Sequence, residues 1–195
     1  MKYVIRLVMN SSTFSVLFCL LAFNIVSCAP LHIKEHQTEG NRGRCNLGSS
    51  TAYISNSPLA VYSISIRQVK EFSEIRITMQ AKEGQIITVF DSSISFKQSG
   101  VAQTVPAKIL TGQFNKKNGM DKPRYGTWEV GVPYVFQSDK DYTTGYLTLE
   151  TRIPFNTDKL EVETGKIKVG DQFVEPQSVR FKFNDRWTIV PLNGC

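Results

Sequence analysis

From residue 62 onward the chain alternates apolar and polar side chains with period two. Tyr62, Ile64 and Ile66 alternate with Ser63, Ser65 and Arg67; Ile75, Ile77 and Met79 alternate with Glu74, Arg76, Thr78 and Gln80. Successive side chains of a strand point to opposite faces, so each run predicts a strand with one buried and one wet face. Residues 85–90, 92–97 and 103–110 follow in the same style, with Pro106 marking an edge or bulge in the third. Towards the C-terminus, residues 146–153 form a strand ended by Pro154. Residues 160–162 resume after an Asn156, Thr157, Asp158 turn, and residues 166–169 lead into a tight turn at Gly170 and Asp171. Val179, Phe181 and Phe183 alternate with Arg180, Lys182 and Asn184, and residues 187–190 close the pattern. Many short strands separated by turn signals predict an all-β fold: an antiparallel β-sandwich, immunoglobulin-like in the broad sense, with a small β-barrel as the alternative.

Residues 111–134 break the alternation. They contain Gly112, Asn118, Gly119, Pro123, Gly126, Gly131 and Pro133, with Phe114, Lys116, Lys117, Lys122, Arg124, Tyr125 and Trp128 interleaved. Glycine-rich connections on a rigid sheet are where binding residues gather, and cations beside aromatic rings suit an acidic protein surface, an anionic glycan or lipid headgroups. The competing reading is a hairpin turning at Asn118 and Gly119, with the lysines solvated and the rings packed inward. These seven side chains form the candidate binding loop.

The N-terminal pattern is different. Residues 1–6 carry two cations, Lys2 and Arg6, and no acid; residues 16–23 (VLFCLLAF) are continuously apolar. Eight residues suit the core of a signal peptide and fall far short of the roughly 20 needed to span a bilayer. Ile25, Val26, Ser27 and Cys28 then follow, and this stretch resembles the lipobox of bacterial lipoproteins. The resemblance implies cleavage before Cys28, lipid on its sulfur, and a stable anchor from several acyl chains where one would bind marginally. Ala29 stands where an aspartate would retain such a protein in the inner membrane, so the expected location is the outer membrane, facing the periplasm. An ordinary signal-peptidase site near Ser27 is the competing reading. The expected organisation is a signal peptide over 1–27, a lipid-anchored flexible tether over 28–50, and one β-sandwich domain over 51–195.

Composition adds bounds. The formal charge of +6 becomes +4 once Lys2 and Arg6 are removed, a mild excess that favours solubility and gives no support to nucleic-acid binding. With Cys28 carrying lipid and Cys19 in the apolar run, Cys45 and Cys195 remain as an even pair for an oxidising compartment. A bridge between them would staple the two ends of the body, by a chain-entropy term of at most about 5 kcal/mol.

Catalytic chemistry finds little support. His32 to His36 spells H-x-x-E-H, a zinc pattern that needs one helix face inside a walled cavity. Here it falls in the expected tether. With no histidine in residues 37–195, a Ser-His-Asp or Cys-His arrangement lacks its base. Glu129, Asp139, Asp141, Glu150, Glu161 and Glu163 could supply a carboxylate pair, although Glu161 and Glu163 share a strand face and suit Lys166 or Lys168 as partners. The expectation is therefore a non-catalytic accessory protein of an envelope assembly. It needs no cofactor or metal and has two partners, the membrane through its anchor and an envelope protein. An inhibitor or immunity lipoprotein against an envelope-targeted enzyme, and a carboxylate-based glycan hydrolase, are the alternatives.

Overall fold

The computed structural model describes residues 28–39, 49–55, 57–114, 124–138 and 142–191. Every regular element among them is a strand. Numbered along the chain, β2 (Ser49–Tyr53), β3 (Val61–Val69), β4 (Phe72–Gln80), β11 (Thr144–Pro154), β8 (Lys108–Phe114) and β9 (Arg124–Thr127) form a six-stranded sheet in that order. A five-stranded sheet runs β1 (Cys28–Thr38), β15 (Ser178–Pro191), β12 (Leu160–Glu163), β6 (Ser93–Gln98) and β7 (Val101–Pro106). The third sheet runs β10 (Tyr134–Val135), β5 (Ile86–Val89), β13 (Ile167–Val169) and β14 (Gln172–Val174). The chain divides into two compact units, one of Lys34–Asp185 and one that includes residues 28–33 and 186–191.

Within Lys34–Asp185 the architecture is an all-β antiparallel sandwich whose sheets do not close, which excludes the barrel alternative. The alternation explains it. Ile64, Ile66, Ile75, Ile77, Met79, Leu147 and Leu149 point inward from the six-stranded sheet. They share one core with Ile94, Phe96, Leu160, Val162 and Phe181 of the five-stranded sheet, and with Ile87, Val89, Tyr134, Ile167 and Val169 of the four-stranded one. β5 continues into β6 and β12 into β13, so the two smaller sheets are one ladder broken at a kink. Across the break Ser95 pairs with Glu163 and Val89 with Ile167, with five residues (90–94) between them on one side against three (164–166) on the other. That excess bends the layer, as a bulge does.

Pro106 acts at a sheet change. The expected single strand over 103–110 is two: β7 belongs to the five-stranded sheet and, past Ala107, β8 belongs to the six-stranded sheet. Proline lacks the N–H that a continued ladder would need. The β6–β7 hairpin turns at Ser99 and Gly100, with φ of 50° and 85°, the left-handed pair that matches strand twist.

The expected tether over 28–50 is corrected at both ends, since β1 takes up Cys28–Thr38 and β2 begins at Ser49. Glu35, His36 and Thr38 are buried. His36 Nε2 donates to the carbonyl of Asp158 at 3.2 Å, and the Thr38 amide donates to Ser50 Oγ at 3.0 Å. Polar side chains that bond in place can occupy inward positions, and so the alternation of a strand is hidden there. In the smaller unit His32 stacks on Trp187, with centroids 4.7 Å apart. The larger compact unit begins at Lys34, ahead of the expected residue 51, and the stretch expected over 187–190 continues β15. Residues 1–27, Cys45 and Cys195 lie outside the described residues.

Candidate functional site

The outward face of the six-stranded sheet carries two chemically distinct ends. On β11 the inward residues are Leu147, Leu149, Thr151 and Ile153, which leaves Thr144, Tyr146, Thr148, Glu150 and Arg152 outward. Register then fixes the rows. Tyr146 lies opposite Gly112, which lies opposite Tyr125 on the edge strand β9. The glycine leaves a slot between two tyrosines, and the ring of Phe114 fills it: a Cβ on Gly112 would stand 3.0 Å from that ring. Phe114 packs edge-on to Tyr146 at 5.4 Å and to Tyr125 at 5.9 Å between centroids. Tyr125 remains 69% exposed, so the row ends in an accessible ring. Arg124, the preceding residue of β9 and so directed to its other face, places its guanidinium 4.4 Å from the Tyr142 ring centroid. Burial, and then the Tyr53 phenol, pushes the Tyr146 hydroxyl above the usual tyrosine range.

The other end is ionic. Glu74 is nearly fully buried, although it points outward, because two arginines cover it. Arg152 donates from Nε and Nη2 to Glu74 Oε2 at 3.2 and 3.0 Å, and Arg76 Nη2 reaches Oε1 at 2.8 Å. Arg76 also donates from Nε to Glu150 at 2.8 Å. Serines and threonines separate this lattice from the aromatic end.

Of the seven expected loop residues, the structure brings Phe114, Arg124 and Tyr125 together on one hairpin edge. Lys116, Lys117 and Lys122 lie outside the described residues, as do Asn118 and Gly119. Trp128 is corrected: it is half-buried against the core, edge-on to Tyr134 at 5.3 Å, with its Nε1 donating to the Val132 carbonyl at 2.9 Å. Phe114 and Arg124 are also not in a loop, since they end β8 and begin β9. Tyr146 completes the aromatic row and Tyr142 takes the Arg124 guanidinium, and neither was among the expected residues. The signal for Tyr146 was present: it is an aromatic ring at a wet-face position of a regular alternation.

The carboxylates take different partners from those expected. Glu161 accepts from Ser178 Oγ at 2.6 Å and Arg180 Nε at 3.3 Å, and Lys97 lies opposite it on β6. The Ser178 hydrogen bond first, then the Arg180 charge, holds its carboxyl below the ordinary range. Lys168 pairs instead with Asp171 at 3.4 Å. Glu161 lines two adjoining shallow cavities of about 460 and 440 Å³ on the five-stranded sheet, with Glu163 in the second. Both carboxylates project from one strand and do not oppose each other, as a glycosidase pair must. The H-x-x-E-H residues sit on a strand and belong to different units. His36 packs edge-on against Phe155 and Phe183, at 6.1 and 5.6 Å. Burial lowers its pKa. That arrangement turns its ring into a packing element.

No protein-family model matches the chain, and neither the curated proteins nor the solved structures yield a significant match.

Proposed function

We propose that this chain is a lipid-anchored protein of the bacterial envelope that holds a protein partner, without catalysing a reaction, through the aromatic end of its six-stranded sheet. The observation that carries the reading is the row Tyr146, Phe114, Tyr125, closed by Gly112, with Arg124 on Tyr142 at the same edge strand. Rings locked by neighbouring rings lose little rotamer freedom on binding, and Tyr and Arg dominate the residues that carry interface affinity. The acidic side chains described above support a non-catalytic role, since Glu74, Glu150 and Glu161 are each engaged by arginine. Ile25 to Cys28 supports the anchor, with the outer membrane facing the periplasm as its location.

The test has two arms. Radiolabelled palmitate enters the wild-type protein and not Cys28→Ala; labelling of both, or of neither, refutes the anchor. Cross-linking in cells captures a partner with the wild-type chain, and Tyr125→Ala with Arg124→Ala weakens that capture at least tenfold while thermal stability is kept. Unchanged capture refutes the site. A large captured complex marks an accessory protein, and a one-to-one complex with an enzyme marks an inhibitor.

A further inference from the structure

Six of the eleven large apolar side chains exposed among the described residues belong to the four-stranded sheet or its approaches: Ile86, Phe90, Val130, Val132, Val135 and Phe173. They are not scattered. Ile87, Val89, Tyr134, Ile167 and Val169 of this sheet point into the core, so register places the alternate residues on one outer face. Val135 lies directly opposite Ile86. One row further, Thr88 lies opposite Lys168, which lies opposite Phe173. Phe90 closes the face against Phe173, with centroids 5.7 Å apart, and Lys166 sets its ammonium 4.8 Å from the Phe173 centroid. The segment carrying Val130 and Val132 is fastened to β5 by the Gly131 amide, which donates to the Val89 carbonyl at 2.8 Å.

The composition of this face discriminates between occupants. A protein partner would require a desolvated centre, where lysine is depleted. Here two lysines stand among the rings, Lys166 on Phe173 itself and Lys168 in the middle row, where its one described counter-ion is the exposed Asp171. Aromatic rings, aliphatic side chains and flexible ammonium groups occur together at a lipid headgroup layer. There the rings sit at acyl depth while the lysines reach anionic phosphates. Such a patch is too small to hold a free protein on a bilayer. A chain held by the proposed lipid anchor needs far less, because the anchor sets an effective concentration on the order of millimolar.

We propose that the outer face of the four-stranded sheet rests on the anionic headgroup layer of a phospholipid bilayer, with Phe90, Phe173, Ile86 and Val135 inserted and Lys166 and Lys168 on phosphate. This inference rests on the lipid-anchored reading, and its test keeps the two apart. Full-length lipidated protein is reconstituted into vesicles of brominated phosphatidylcholine, with and without phosphatidylglycerol, and the vesicles are floated. Phe173→Trp, with its fold checked by near-ultraviolet circular dichroism, adds a tryptophan to the patch; Phe90→Trp gives an independent second reading. In floated vesicles, bromolipid quenches the added emission beyond that of the parent's Trp128 and Trp187, and does so more strongly with phosphatidylglycerol. Adding Lys166→Glu and Lys168→Glu removes the extra loss. Protein that floats with neither probe quenched overturns the patch and leaves the anchor standing. Protein that does not float overturns the anchor and this inference with it.

Discussion

Gly145 of β11 lies directly beneath the ring of Phe136, and a Cβ there would also stand 2.8 Å from the hydroxyl oxygen of Tyr134. Phe136 is almost wholly buried and belongs to the hydrophobic core. Gly145→Ala therefore overpacks the core and costs about 1–3 kcal/mol. Gly165→Ala, where no atom lies within 4 Å, is the control and changes stability by less than about 0.5 kcal/mol. Urea denaturation of the two variants measures the contrast, and equal costs would refute the account.

Glu74 gathers Arg76 and Arg152 on one buried carboxylate. Glu74→Gln keeps the shape but removes the charge both arginines share. The arginine side chains are 44% and 59% exposed and rehydrate, which reduces the loss to about 1–2 kcal/mol. A double-mutant cycle with Arg152→Ala isolates the pair. Additive costs would show that the two residues do not act together.

His36 carries a pH dependence. Burial lowers its folded pKa below the ordinary 6.5, so the unfolded chain binds its proton more readily. The associated stability is fully present above pH 6.5 and is lost as the pH falls from there through the folded pKa. Chemical denaturation at pH 7.5 and about pH 5 shows the drop in the wild-type protein, and His36→Gln flattens it. A slope unchanged by that substitution assigns the effect elsewhere.

Tyr62 acts at the alkaline end. Burial pushes its hydroxyl up to about 12, partly offset by the Thr164 hydroxyl beside it. The unfolded chain ionises first, near 10, so this contribution to stability is present below pH 10 and lost as the pH rises towards 12. Tyr62→Phe removes that part of the loss. The difference between the 295 nm titrations of the native wild-type protein and Tyr62→Phe isolates the same phenol, and a difference that appears near pH 10 would refute the shift.

The strands were legible wherever one face is apolar and the other is wet. β3, β4, β11 and the core-facing half of β15 all follow the alternation in Tyr62 to Ile66, Ile75 to Met79, Leu147 to Ile153, and Val179 to Phe181. β1 was not legible, because its inner positions hold His36, bonded to the Asp158 carbonyl, and Thr38, while Glu35 is buried on the other face beside Gln37. The aromatic site was half legible. Phe114, Arg124 and Tyr125 share one stretch of sequence, but Tyr146 joins them through a register that no local pattern encodes. Trp128 illustrates the converse, since composition alone cannot tell an inward ring from an outward one. Lys168 chose Asp171 over the glutamates because a turn brings i and i+3 together, whereas Glu161 found its cation across the ladder.

The pairing of β4 with β11 sets a timetable. Ile77 meets Leu149 across about seventy residues of intervening chain, and Ile75, Ile77 and Met79 have only β3 beside them until β11 has been synthesised. Closing so long a loop before its contacts form is slow, on the order of milliseconds to seconds for β-rich topologies. The six-stranded sheet therefore cannot close until the chain has been made as far as Pro154, the end of β11. Until then the free edge of β4 stands open with its apolar face uncovered, and that interval is when the chain is most exposed to aggregation.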